Sequence, residues 1–87
     1  MTEREYALDP ARVHLQRSGL IDVRVHNAGR RPHGLVLETS VGKLQTGLIR
    51  PGATAEIRVR LRRGLYRWYS PVGDDRARGM TGELVVG

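Results

Sequence analysis

Residues 66–86 read YRWYSPVGDDRARGMTGELVV: an aromatic strand, a polar loop and an apolar strand in one run. Tyr66 and Trp68 alternate with Arg67 and Tyr69, the period of two that sends successive side chains to opposite faces of a sheet. Tyr66 and Trp68 are therefore expected in the core and Tyr69 on the other face. Pro71, Gly73, Asp74 and Asp75 end the strand, and Gly79-Met80-Thr81-Gly82 leads into Leu84, Val85 and Val86.

The same alternation runs upstream. Ile21, Val23 and Val25 alternate with Asp22 and Arg24, while Ile57, Val59 and Leu61 point away from Arg58, Arg60 and Arg62. These patterns place strands at 20–25 and 55–62, and shorter ones are expected at 5–8, 12–17, 35–38, 43–46, 65–69 and 82–86. Between them fall turn signals such as Asp9-Pro10, Ser18-Gly19, Val41-Gly42, Arg63-Gly64 and Pro51-Gly52, the last suited to the middle of a type II turn. No segment has a helical period. About seven or eight short strands so spaced predict an all-β Greek-key sandwich or barrel, with residues 1–87 as a single domain.

A chain of 87 residues buries only about 60–65% of the surface its unfolded form exposes, so the core must be small. Cysteine is absent, which excludes disulfides, thiolate metal sites and a cysteine nucleophile. The 15 Lys+Arg against 9 Asp+Glu give a net charge of +6, and every cation but Lys43 is arginine. Such a surface attracts anionic partners and equally suits an ordinary solvated exterior. No apolar stretch is long enough for a membrane span, and MTEREYALDP lacks the apolar centre of a secretory signal.

Two further stretches complete the pattern. VRVHNAGRRPHGLVLE, residues 23–38, ends a strand in an Asn-x-Gly turn, Asn27 and Gly29, followed by His33 and an apolar strand. PGATAEIRVRL, residues 51–61, is a Pro-Gly turn followed by an alternating strand. Taken in order with Gly64, Tyr66, Trp68, Ser70 and the Gly79–Gly82 ending, they resemble the cupredoxin family, copper-binding β-sandwich proteins that shuttle electrons. The resemblance spans nearly the whole chain.

In that family a type 1 copper takes a histidine from the first landmark and cysteine, histidine and methionine from the last, which maps here onto His33, Ser70, Asp75 and Met80. Ser70 thus stands for the thiolate and Asp75 for the second imidazole. A blue site needs both, because the copper–thiolate bond supplies its colour and electronic coupling. The resemblance therefore implies the fold without blue-copper electron transfer, and no cofactor is expected. Ser70 or protonated His33 would instead hydrogen-bond Asp75, with Met80 filling space the copper left. The competing expectation is a non-blue site for copper or another metal at His33, Asp75 and Met80.

His14 and His26 are expected on the surface. Ser70 lies in no Gly-x-Ser-x-Gly elbow, so no enzyme activity is expected. The chain reads as a non-catalytic binding or accessory domain. A second alternative is recognition of an acidic protein, lipid or nucleic-acid partner by Arg24, Arg58, Arg60 and Arg62. Too few aromatics are expected on the surface to favour nucleic acid. The family commonly works outside the cytoplasm while this chain displays no leader, which leaves localisation open between the cell envelope and the cytoplasm.

Overall fold

The computed structural model describes residues 1–87, and they form strands without helices. In chain order these are β1 (Thr2–Arg4), β2 (Ala7–Asp9), β3 (Arg12–Leu15), β4 (Gly19–Asn27), β5 (Val36–Thr39), β6 (Gly42–Gln45), β7 (Thr54–Leu61), β8 (Gly64–Tyr69) and β9 (Thr81–Val86). They make two mixed sheets, one ordered β2-β1-β4-β7 and the other β3-β9-β8-β5-β6. The pairs β1–β4 and β3–β9 are parallel, joining strands that are not consecutive in the chain; the other neighbours are antiparallel.

The alternation seen in β4 and β7 is what closes the sandwich. Val25, Ile57 and Leu61 are buried against Leu8, Leu35, Leu37, Trp68, Leu84 and Val86, while Arg58, Arg60 and Arg62 stay exposed. Burying each such aliphatic side chain contributes roughly 1.5–3 kcal/mol before conformational entropy is charged against it. Trp68 is 2% exposed and its indole N–H donates to the Ala11 carbonyl at 3.1 Å, so its one polar atom is satisfied.

One expectation needs correction. The strand expected at 5–8 is instead a hairpin, in which Glu3 pairs with Leu8 and the chain reverses at Glu5 and Tyr6, giving nine strands in all. β1 forms because β4 offers it an edge, with Thr2 opposite His26 and Glu3 opposite Asn27. Tyr69 lies on the outer face, as its alternation with Trp68 predicts, and is buried there with the Arg76 guanidinium stacked 4.0 Å from its ring centroid.

Across the outer face of the five-stranded sheet, register sets Lys43 opposite Glu38, Glu38 opposite Arg67, Arg67 opposite Glu83 and Glu83 opposite Arg12. This row alternates in sign across all five strands, so that face carries little field of its own. The loops after β4 and β8 and the 46–53 segment meet at one end of the sandwich.

Candidate functional site

Asn27 builds that end. Fully buried, it donates from Nδ2 to the carbonyls of Arg31 and Ile49, each at 2.8 Å, and accepts the Gly29 N–H on Oδ1 at 2.9 Å. The last bond is an Asx turn, the physical content of the Asn-x-Gly signal. Its backbone holds a second loop: Asn27 N–H donates to Ala53 and Gly52 N–H to Asn27, at 2.9 and 2.7 Å. The Pro51-Gly52 turn closes through Ala53 N–H to the Arg50 carbonyl at 2.9 Å, with Gly52 at φ +84 as a type II turn requires. The chain thereby delivers His33 to Ile49, and the two residues exchange backbone hydrogen bonds at 3.1 and 2.6 Å.

The four mapped positions converge. His33 Nδ1 lies 2.7 Å from Asp75 Oδ2, and the Ser70 hydroxyl donates to the same oxygen at 2.8 Å. Ser70 Oγ also accepts the Gly34 N–H at 3.2 Å. The loop is pinned by Met80 N–H to the Asp75 carbonyl and Ser70 N–H to the Met80 carbonyl, both at 3.0 Å, and the Met80 side chain is fully buried in the core. His33 and Ser70 are fully buried, and Asp75 is 5% exposed.

Two further carboxylates belong to the cluster, and the sequence reading missed both. Glu5 meets His33 Nε2 through Oε2 and accepts the Arg30 N–H on Oε1 at 2.6 Å. Gly29 permits that approach, since a Cβ there would collide with the Glu5 carboxylate. Glu3 is fully buried, and neither of its carboxyl oxygens has a hydrogen-bond partner. Thr2-Glu3-Arg4-Glu5 is an unbroken polar run, so no apolar alternation signals that Glu3 points inward.

Electrostatics follow from this crowding. Burial opposes charging His33, but its hydrogen bonds to Asp75 and Glu5 and their negative charge outweigh that and raise its pKa. Both ring nitrogens face carboxylates, and only the imidazolium has a proton for each. Glu5 is held below its ordinary range, first by the Arg30 N–H and then by His33. Burial pushes Glu3 up to about 7, with His33 pulling it down and Asp75 adding to the rise.

The arrangement holds His33 between two carboxylates. A triad for nucleophilic catalysis would join serine to imidazole, whereas the Ser70 proton goes to Asp75 and His33 is occupied on both sides. The donor set also does not fit a type 1 copper: it has no thiolate and one imidazole, whose Nδ1 is tied to Asp75. No group of three or more His, Cys, Asp or Glu side chains has a geometry suited to a metal ion.

Arg24, Arg58, Arg60 and Arg62 share the outer face of the four-stranded sheet. Arg24 reaches Glu56 at 3.5 Å and Arg58 reaches Asp22 at 3.9 Å, while Arg60 and Arg62 form no ion pair. The stripe is thus half compensated, and its free charge lies at the end of β7 remote from Asn27. His14 and His26 are exposed, and each makes one hydrogen bond, to the Gly87 carbonyl and to Thr54.

No protein-family model and no curated protein matches the sequence. Solved structures do. A reduced auracyanin from Roseiflexus castenholzii superposes with a TM-score of 0.81 at 16% identity, covering 99% of this chain and 96% of that one. Auracyanin A, a "blue" copper protein from Chloroflexus aurantiacus, gives 0.79 at 14% identity over 100% and 98% of the two chains. A reduced amicyanin variant gives 0.71 at 14% over 100% and 81%. The chain therefore has the cupredoxin fold, as its three landmarks implied.

Proposed function

We propose that this chain is a non-catalytic binding domain, a cupredoxin fold whose copper-ligand end has become a proton-holding ion cluster. The observation that carries the reading is His33 Nδ1 at 2.7 Å from Asp75 Oδ2, with the Ser70 hydroxyl on the same oxygen. An imidazolium between Asp75 and Glu5 occupies the place of a metal complex and links the same loops. Blue-copper electron transfer is outside its chemistry, because nothing replaces the thiolate. The burial of Ser70, His33 and Asp75 also argues against turnover, since a substrate has no access to them.

Metal binding at His33, Asp75 and Met80 is the competing reading, and it would require a cation to displace the proton between His33 Nδ1 and Asp75, with Nε2 still donating to Glu5. Titration with Cu(II), followed by electron paramagnetic resonance and the His33 imidazole resonances, separates the two. The expected result is no stoichiometric site at micromolar metal. A saturable Cu(II) signal that vanishes in His33→Ala would overturn the reading.

A further inference from the structure

The sandwich is open along one side, where the edge strand β7 of one sheet faces the edge strand β6 of the other. A groove of about 450 Å³ lies there, between residues 39–44 and 59–62 with Tyr66 beneath. Its apolar wall is Val41, Leu44 and Val59; Val41 is 95% exposed and Leu44 37%. Its rim carries Lys43, Arg60 and Arg62, and no acidic residue lines it. Of these, Arg60 and Arg62 lack an acidic partner, and Lys43 has Glu38 at 3.8 Å.

We propose that this groove takes an extended segment of a partner protein in which acidic and aliphatic residues alternate, added as a strand along β7. The proposal rests on the reading of the chain as a binding domain and names its surface. On an edge strand, alternate backbone N–H and C=O groups point away from the sheet and can pair with an incoming strand. β7 ends Arg58-Val59-Arg60-Leu61, with Arg58 and Arg60 on the outer face and Val59 and Leu61 turned inward, and Arg62 follows directly after it. A strand laid beside it must obey the same period, so its aliphatic side chains would face Val59, Leu44 and Val41. Its carboxylates would then stand opposite Arg60 and Arg62.

The charge pattern selects among occupants. A second copy of this chain would bring a net +6 and another arginine edge, which repels. A single-stranded nucleic acid would need exposed aromatic faces for stacking, and Tyr66 is half-buried with its hydroxyl donating to the Arg62 carbonyl at 2.7 Å.

The test uses the full chain and a fluorescent heptapeptide of alternating glutamate and valine, beside an isomer of the same composition with the valines in one block. The alternating peptide is expected to bind at least about tenfold tighter than the isomer. Amide shifts should map to residues 41–44 and 59–62, and affinity should fall as salt rises. Arg60→Glu with Arg62→Glu should weaken binding by about tenfold or more while leaving the unfolding midpoint near that of the wild type, as both side chains are exposed. Equal affinity for the two peptides, shifts elsewhere, tighter binding of a single-stranded oligonucleotide of equal charge, or an unaffected double variant would each overturn the proposal. None of these readouts depends on the state of His33, so copper binding there would defeat the preceding reading without touching this one.

Discussion

Asp75 Oδ2 lies 2.7 Å from His33 Nδ1, and the two residues come from loops 42 positions apart in the chain. That contact joins the loop after β4 to the loop after β8, the connection a shared metal would otherwise make. An ion pair can serve because both partners are satisfied: the imidazole has Glu5 on its other nitrogen, and the carboxylate has Ser70.

Removing the carboxylate should therefore strand a buried cation. Asp75→Asn is expected to lower stability by roughly 2–4 kcal/mol, because the amide oxygen can accept the Nδ1 proton but cannot replace the charge, which leaves Glu5 as the one carboxylate on His33. Chemical denaturation gives the loss, and the His33 ring resonances should titrate at lower pH than in the wild type. An unchanged midpoint with an unchanged His33 titration would mean that the pair contributes nothing.

Glu3 makes the stability depend on pH in an unusual direction. Its folded pKa of about 7 lies above the ordinary 4.5, so the native state holds a proton that the unfolded chain has already released. The stability it contributes is full below about 4.5 and is lost as pH rises through 7. His33, also raised, acts in the same sense: its contribution is full below its ordinary 6.5 and is lost as pH rises through its higher folded value. The denaturation midpoint should thus be higher at pH 5 than at pH 8. Glu3→Gln should flatten the fall between pH 4.5 and 7 and be more stable than the wild type at pH 8 by roughly 2–3 kcal/mol. A wild-type midpoint that rises from pH 5 to pH 8 would contradict this account.

The sheets were legible in the sequence because they rest on local signals taken in order, whereas the grouping of His33, Ser70, Asp75 and Met80 was implied only by the resemblance to the cupredoxin family. Period-two alternation fixed β4, β7 and β8, and the Asx turn at Asn27 and the type II turn at Gly52 fixed the loops. The remaining features depend on register and on docking between distant segments. Glu3 and Glu5 enter the cluster only because β1 pairs with β4, which a polar run cannot announce. Tyr69 obeys its strand's alternation yet is covered by Arg76 from the next loop. Arg24 and Arg58 read as one basic stripe with Arg60 and Arg62 until register sets them beside Glu56 and Asp22.

Asn27 is the residue on which both loops depend, through three side-chain hydrogen bonds at 2.8 to 2.9 Å. Asn27→Ala leaves the carbonyls of Arg31 and Ile49 and the Gly29 N–H without these partners, and should cost roughly 3 kcal/mol. Hydrogen exchange should accelerate first at Gly29, His33 and Ile49. Asn27→Asp, which keeps the Gly29 acceptor but has no donor for the two carbonyls and buries a charge, should be at least as damaging.

The ligand mapping itself has a constructive test. Ser70→Cys with Asp75→His would put a thiolate and a second imidazole beside His33, while Met80 stays where the backbone bonds to residues 70 and 75 hold it. The double variant also releases His33 Nδ1 from its carboxylate, so without metal it should be less stable than the wild type. With Cu(II), the donor types of a type 1 site are all present, and an intense blue absorption and metal-dependent stabilisation are expected. Each single variant should stay colourless: Ser70→Cys alone leaves Nδ1 facing Asp75, and Asp75→His alone lacks the thiolate. A folded double variant that takes up copper without colour would place the four side chains in the wrong mutual geometry, and with it the inference that this end of the sandwich descends from a metal site would fail.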